Sequence, residues 1–261
     1  MTVIATWNIN SVRLRAELVA RFLSEEAPDV LCLQETKTPV EKFPHERFAA
    51  LGYVHFAGRG ERGYNGVAIV SRLALEPIDH RDFCGRGDAR HVAARLPSGV
   101  VVHSLYVPAG GDEPKPGNAK FAHKMAFLAE MADWGASLDG PQIAVGDLNV
   151  APLEHDVWDH AKMLKVVSHT PEEVAALTAA QTAGGWTDVT RADIAPSEKL
   201  YSWWSYRAKD WALSNRGRRL DHIWARGWAV PVAGSSQVLK DWRGCEKPSD
   251  HVPVLARFDL G

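Results

Sequence analysis

Short apolar runs rich in Val, Ile and Ala recur along the chain, each bounded by turn residues, and several end or begin on a polar side chain. Val3 to Asn8, the DVLCLQE segment, Gly66 to Ser71, His91 to Leu96, Val100 to Val107, Gln142 to Gly146, Arg219 to Ala225 and His251 to Phe258 have the length and branched content of strands. Helical patterns lie between them. From Asn118 to Leu138, Phe121, Met125, Leu128 and Ala132 fall at spacings of three and four, a single apolar stripe suited to covering a sheet. Thr170-Pro171-Glu172-Glu173 opens another helix, with Thr170 as cap, Pro171 in the first turn and Glu173 completing a capping box. Ser11 reads as the cap of a third helix that buries Leu14, Leu18 and Phe22. Strands that follow each other closely, with turn residues at Gly85 to Asp88 and Pro97 to Gly99, favour antiparallel pairing over a doubly wound parallel sheet. The expected fold is therefore α/β, with two packed mixed β-sheets flanked by helices. Neither an internal repeat nor a Pro/Gly/Ser-rich linker divides residues 1–261, so one domain is expected.

An apolar fraction of 46% supplies a substantial core, and a formal net charge of −2 gives no global basic signature, so a nucleic-acid partner would need a local positive surface. Cys32, Cys84 and Cys245 are odd in number, far apart and outside any CxxC pattern, which argues against a disulfide framework or a zinc ribbon. The first residues run straight into a β-like segment without a charged-then-apolar leader, and no apolar stretch is long enough to span a bilayer. The expectation is a soluble, cytoplasmic protein without a membrane partner. Gly58-x-Gly60-x-x-Gly63 spells a dinucleotide fingerprint, but GYNGVAIVS after it reads as a strand where a pyrophosphate-binding helix is required. GxSxG, HExxH and GxxxxGK[ST] are all missing, which removes the usual serine hydrolase, zinc protease and P-loop readings.

The polar residues at strand ends carry the chemical signal. Asn8 closes VIATWN, Glu35 closes VLCLQE, Asp147 and Asn149 close IAVGDLN, Asp221 lies near the start of RLDHIWA, and Asp250-His251 opens HVPVLARF. Any one of them, alone, is an ordinary turn or capping residue. Where strands are partly antiparallel, the end of one and the start of its neighbour share an edge, so the set converges on one rim. Clustered carboxylates raise one another's pKa, a cost that a divalent cation relieves, and oxygen ligands suit Mg²⁺ or Mn²⁺ better than zinc. Asp147 and Asn149 share a side if the segment is extended, and His251 is expected to be oriented by Asp221.

In order along the chain, Trp7-Asn8-Ile9-Asn10, Gln34-Glu35-Thr36-Lys37, Gly63-Tyr64-Asn65-Gly66-Val67, Tyr106-Val107-Pro108, Gly146-Asp147-Leu148-Asn149, Arg219-Leu220-Asp221-His222 and Lys247-Pro248-Ser249-Asp250-His251 resemble the exonuclease III family of abasic-site endonucleases. The resemblance spans nearly the whole chain. It implies a four-layer α/β sandwich of the DNase I-like kind and a Mg²⁺-dependent phosphodiesterase of base excision repair. Such an enzyme acts on double-stranded DNA, cutting 5′ to abasic sites and trimming or unblocking 3′ ends. By position, Glu35 would be the principal metal ligand, Asn8 and Asp250 would support it, and Asp147, Asn149 and His251 would border the metal. Asp147 would activate water, Asn149 would orient it, Tyr106 would contact the scissile phosphate or donate a proton, and His251 paired with Asp221 would stabilise the transition state. A monomer is expected. A phosphodiesterase of the same superfold with another substrate would share this machinery, and a silent DNA-binding module would share the fold.

Ser202-Trp203-Trp204-Ser205-Tyr206-Arg207, Lys209, and Asn215-Arg216-Gly217-Arg218-Arg219 mix aromatics with cations and form the expected DNA-facing stretch. Trp203 or Trp204 would pack on a base or flipped sugar, and Arg207, Lys209, Arg216 and Arg218 would contact phosphates. The resemblance departs here: Arg218 stands where many relatives have an apolar residue and Ser205 where many have Asp, while Ser104 and Ala109 replace asparagines around Tyr106-Val107-Pro108. An arginine at the sugar pocket is expected to shift the balance toward 3′-end processing or to alter abasic-site affinity.

Overall fold

A computed structural model of the chain describes all residues except 116 and 209. Its elements run β1 (Thr2–Asn8), α1 (Ala16–Glu25), β2 (Val30–Gln34), α2 (His45–Ala49), β3 (His55–Glu61), β4 (Tyr64–Ser71), β5 (Glu76–Ile78), β6 (His91–Arg95), β7 (Val101–Tyr106), α3 (Ala119–Ser137) and β8 (Gln142–Asp147). The second half adds α4 (His160–Met163), α5 (Pro171–Ala183), β9 (Thr187–Asp188), α6 (Val189–Asp193), β10 (Trp203–Trp204), α7 (Trp211–Ser214), β11 (Gly217–Arg218), β12 (Asp221–Arg226), β13 (Val230–Pro231), β14 (Gln237–Val238) and β15 (Val254–Asp259). One sheet has the order β13-β15-β1-β2-β4-β3, with β14 also pairing β15, and the other has the order β5-β6-β7-β8-β12-β9. The β1/β2 and β7/β8 pairs are parallel, while β1/β15, β2/β4, β6/β7 and β8/β12 are antiparallel. Both sheets are mixed, as the turn-rich connections suggested.

Period-two alternation sorts each strand between two apolar layers. Ile4, Val30, Cys32, Val67 and Ile69 meet Val102, Ile143, Val145, Ile223 and Ala225 in the core between the sheets. The alternate residues Ala5, Trp7, Leu31, Leu33 and Ala68 face outward under Phe22, Leu23 and Phe48 of α1 and α2. On the opposite outer face, Leu105, Ala144 and Trp224 pack under Phe127, Leu128 and Met131 of α3 and Leu177 of α5. Helices, sheet, sheet and helices make four layers.

Three local expectations are corrected. Helix α1 begins at Ala16 and has no side-chain cap; Ser11 takes a positive φ of 84°. Leu14 therefore lies outside the helix and is 61% exposed, whereas Leu18 and Phe22 are buried. On α3 the buried face is Phe121, Lys124, Phe127, Leu128, Met131 and Trp134, so Met125 and Ala132 only flank it. The strand β3 escaped the sequence reading because glycines interrupt its alternation. Its Gly60 lies so close to the Thr38 carbonyl that an added Cβ would sit 2.1 Å from that oxygen. The capping box at Thr170 and Glu173 forms as expected. Among the described residues, no helix is long and apolar enough to cross a membrane.

Candidate active site

The same alternation that builds the inner core carries its parity to the strand ends. Asn8 follows Ile4 on the inner face of β1, Tyr106 follows Val102 on β7, Asp147 follows Ile143 and Val145 on β8, and Asp221 precedes Ile223 on β12. Pairing then lines them up. Tyr106 is the register partner of Asp147 across the parallel pair, and Asp221 is its partner across the antiparallel pair. Directly paired residues share a face, so three candidate side chains stand in one row at the mouth of the sandwich. Gly146 allows the two strands to approach here: its φ is 146°, and a Cβ would sit 1.9 Å from the Leu105 carbonyl oxygen. Beneath the row, Gln34 donates to Ser104 Oγ (3.0 Å) and accepts from Thr6 Oγ1 (3.2 Å), a polar seam between the sheets that Ser104 completes.

Asn8 joins the two sheets. Its Oδ1 accepts from the backbone N–H of Asn10 (3.1 Å), which fixes the amide so that Nδ2 donates to both Glu35 Oε1 and Asp147 Oδ2, each at 2.9 Å. Glu35 leaves the end of β2 with a φ of 49° and also pairs with Lys37 Nζ at 2.7 Å. Asp147 is further braced by Asn149, whose backbone N–H donates to Oδ1 (2.9 Å) and whose Nδ2 donates to Oδ2 (3.1 Å) and to the Val107 carbonyl (2.8 Å). The extended arrangement expected for Asp147 and Asn149 is not what brings them together. Asn149 has a φ of 54°, so a tight turn curls its side chain back onto the acid.

His251 precedes β15 and is buried, with Nδ1 2.8 Å from Asp221 Oδ2 and Nε2 3.7 Å from Asp147 Oδ2. The expected partnership with Asp221 is present. Asp250 engages other groups: it accepts from Asn10 Nδ2 (3.0 Å) and Trp203 Nε1 (3.0 Å). Among the described residues, Asp147, Asp221 and His251 each offer one ligand atom within 4.8 Å of the others, a cluster of metal-binding dimensions.

These contacts set the charges. Burial opposes charge on His251, but Asp221, Asp147 and Asp250 raise its pKa to about 10, so it is an imidazolium at neutral pH. Burial, with Asp221 and Glu35, raises Asp147 to about 7 against the pull of His251 and Asn8. Burial would also raise Glu35, yet Lys37 and Asn8 hold it below the usual carboxylate range. Burial followed by Glu35 and Asp147 pushes the Tyr106 phenol well upward, which keeps its proton in place. The Arg90 guanidinium lies 4.8 Å from the Tyr106 ring centroid and fixes the ring from behind.

A cavity of about 650 Å³ opens over this rim and includes Glu35, Tyr106, Asp147, Asn149, Asp250 and His251. Trp203, Arg207, Arg216 and Arg218 line its other side, as the aromatic and basic stretch suggested. Trp204 does not belong there. It is 2% exposed, packs with Tyr201 and Val252, and gives its indole N–H to Asn215, so its expected role against DNA is replaced by one in the core. Lys209 lies outside the described residues. Sequence reasoning missed Trp158, Met163, Val167 and Ser168, which complete the cavity from the short helix α4 and the loops on either side of it, a segment without strand or motif signal. It also gave no role to Lys37 and Asn10, although both sit inside the quoted motifs and hold Glu35 and Asp250.

The model of the endonuclease/exonuclease/phosphatase family matches residues 5–251. The chain belongs to this family. Within it, the chain is 29% identical to exodeoxyribonuclease III of Haemophilus influenzae over 97% of its own length and 98% of that protein's. Its structure is similar to that of an AP endonuclease from Archaeoglobus fulgidus, with a TM-score of 0.88 and 33% identity over 99% of this chain and 100% of that one. A 3′-5′ exonuclease from Neisseria meningitidis gives a TM-score of 0.89 and 30% identity over 98% and 99% of the two chains. The four-layer, two-sheet architecture is the one these neighbours share.

Proposed function

We propose that this family member is a DNA-repair nuclease that hydrolyses duplex DNA on the 5′ side of abasic sites and at 3′ ends, acting as a monomer with Mg²⁺. The observation that carries this reading is the buried His251 imidazolium set between Asp221 and Asp147 at the floor of an open cavity. A cation with no freedom to swing away, beside an acid of near-neutral pKa, is suited to a phosphate that gains charge as water attacks it.

The donor set fits a hard divalent cation. The acids and the Asn149 amide offer oxygen, Asn8 turns its Nδ2 toward Glu35 and Asp147 and so orients these acids, and among the described residues the buried Asp221 Oδ1 has no hydrogen-bond partner. Glu35 would hold the ion, with Asn8 and Asp250 beside it. When bound, the ion would neutralise phosphate charge and lower the pKa of water. His251 is better assigned to the phosphate than to the metal, because an imidazolium has no lone pair to give.

The remaining steps belong to the chain's own residues. Asp147, with a pKa near 7, takes the proton of the attacking water, and Asn149 fixes the direction of that carboxylate. His251 donates to a non-bridging phosphate oxygen, while Asp221 keeps its ring oriented and charged. Tyr106 holds its proton and donates to the phosphate. Attack of water on phosphorus breaks the P–O3′ bond, leaving a 3′-hydroxyl on one side and a 5′-phosphate on the other. Arg207, Arg216 and Trp203 position the duplex at the rim.

A duplex with one abasic site tests the reading. Nicking in Mg²⁺ that is abolished by EDTA and leaves a 3′-hydroxyl is expected. No nicking of this duplex, and no release from 3′ ends, would contradict it.

A further inference from the structure

Arg218 differs from the other buried or half-buried arginines around it. Its neighbour Arg219 is fully buried and answered by two carboxylates, Asp156 (2.9 Å) and Asp188 (2.8 Å), and Arg191 also pairs with Asp156 (2.6 Å). Arg218 lines the cavity, and among the described residues no carboxylate lies within 4.0 Å of it. The acid whose charge bears on it, Glu173, is already committed: it pairs with the buried Lys124 and accepts from the backbone N–H groups of Ser168 and Thr170. A guanidinium without a counter-charge in a half-buried wall is costly unless something that binds there answers it.

The side chain is also held in one direction. The guanidinium lies 5.0 Å from the Trp203 ring centroid, and Nη1 donates to the Val167 carbonyl (3.0 Å) and to Ser168 Oγ (2.9 Å). Trp203 is itself pinned by its indole N–H to Asp250, so a single indole separates the guanidinium from the acidic rim. Ser168 is pinned by Glu173. Among the described residues, of the three guanidinium nitrogens only Nη1 has a hydrogen-bond partner. Nη2 and Nε are left for a ligand, in the planar geometry that suits a phosphate.

We infer that Arg218 is a specificity-determining residue that receives the additional charge of a 3′-terminal phosphate and biases the cavity toward such ends over the neutral deoxyribose of an internal abasic site. The inference rests on the nuclease reading of this cavity. A phosphomonoester has more charge and one more unesterified oxygen than a diester, so the free N–H groups gain a partner that an abasic sugar does not offer. An apolar side chain at the same position would instead present a wall suited to the uncharged sugar.

Binding separates this inference from the reading it rests on. Duplexes that differ only in a 3′-phosphate or 3′-hydroxyl terminus are titrated in EDTA with the wild-type protein, R218L and R218K. The wild type is expected to prefer the phosphate end by on the order of tenfold, the value of one charge-assisted hydrogen bond. R218L should lose that preference, and R218K, which keeps charge without the fork, should retain part of it. If R218L does not fold, R218K reads the same preference. Equal affinity of the wild type for both ends, or an undiminished preference in R218L, overturns the inference. In Mg²⁺, the ratio of 3′-phosphate release to abasic nicking should fall in R218L, and an unchanged ratio also overturns it. A wild type that keeps the binding preference but cuts neither substrate sinks the nuclease reading and leaves the role of Arg218 standing.

Discussion

His251 shows how far a single residue's chemistry depends on its partners. Buried alone it would be neutral; beside Asp221 and Asp147 it stays charged to about pH 10. In metal-free protein, Asp221→Asn should bring the His251 titration, followed by NMR of the imidazole, well below that value. A titration left near 10 would show that Asp221 is not the residue sustaining the charge. The stability sign follows from the raised pKa. His251 contributes fully below its unfolded value of about 6.5, and the contribution fades as pH rises toward 10. At the paired tryptophans, Trp204→Ala should destabilise the fold by about 3–5 kcal/mol, read by urea denaturation, because a fully buried ring is removed. Trp203→Ala should chiefly weaken binding of abasic duplex, and the reverse pattern would refute the division of roles. The sequence made the polar strand ends legible because acids and amides there interrupt apolar runs. It could not tell Trp203 from Trp204, since which ring faces the cavity depends on the short β10/β11 ribbon and not on composition.

Elements matter through the faces they share. The neighbouring strands β6 and β7 carry a chain of neutral histidines: the Arg81 N–H donates to His91 Nδ1, His91 Nε2 lies 3.0 Å from His103 Nδ1, and His103 Nε2 lies 2.7 Å from Gln142 Oε1. This network assigns one proton to Nε2 of each ring and has no acceptor for a second. Burial accordingly lowers His103 to about 4 and His91 well below its usual range. The unfolded chain then binds more protons between about pH 6.5 and 4, so folding stability falls across that window, by roughly 3 kcal/mol from His103 alone. His103→Gln should flatten that acid limb in denaturation measured against pH; an unchanged limb would place the acid sensitivity elsewhere. Across the outer helices, Lys124 on α3 joins Glu173 on α5 and donates to the Asn149 carbonyl at 2.7 Å. Lys124→Met should cost about 3–5 kcal/mol by leaving Glu173 buried without its cation. The strands and α5 were legible from period and capping. The start of α1 was not, because Ser11 and Leu14 fit a helix pattern while the backbone at Ser11 adopts a positive φ.

At the scale of the whole molecule, a net charge of −2 has to be reconciled with a polyanionic partner. The reconciliation is local: Arg207, Arg216 and Arg218 stand around one cavity mouth, and Lys162 and Arg216 lie 5.1 and 4.8 Å from the Trp158 ring centroid. Affinity for duplex DNA should therefore fall steeply with salt, and Arg207→Ala with Arg216→Ala should reduce the logarithmic slope by about two. A slope insensitive to both would move the DNA-binding face. The fold class was legible before any coordinates, because alternation and turn spacing already imply two mixed sheets. The other half of the cavity was not, since Trp158, Met163 and Val167, on α4 and its flanking loops, meet the acidic rim only through tertiary packing. The central claim is that the inner face of β8 and the segment entering β15 deliver Asp147 and His251 to one phosphate. Comparing the Mg²⁺-dependent nicking rate of an abasic duplex by the wild type and by folded Asp147→Asn tests it most directly. The account predicts a loss of about 10²–10⁴-fold, the usual worth of a general base, and full activity in the variant would contradict it.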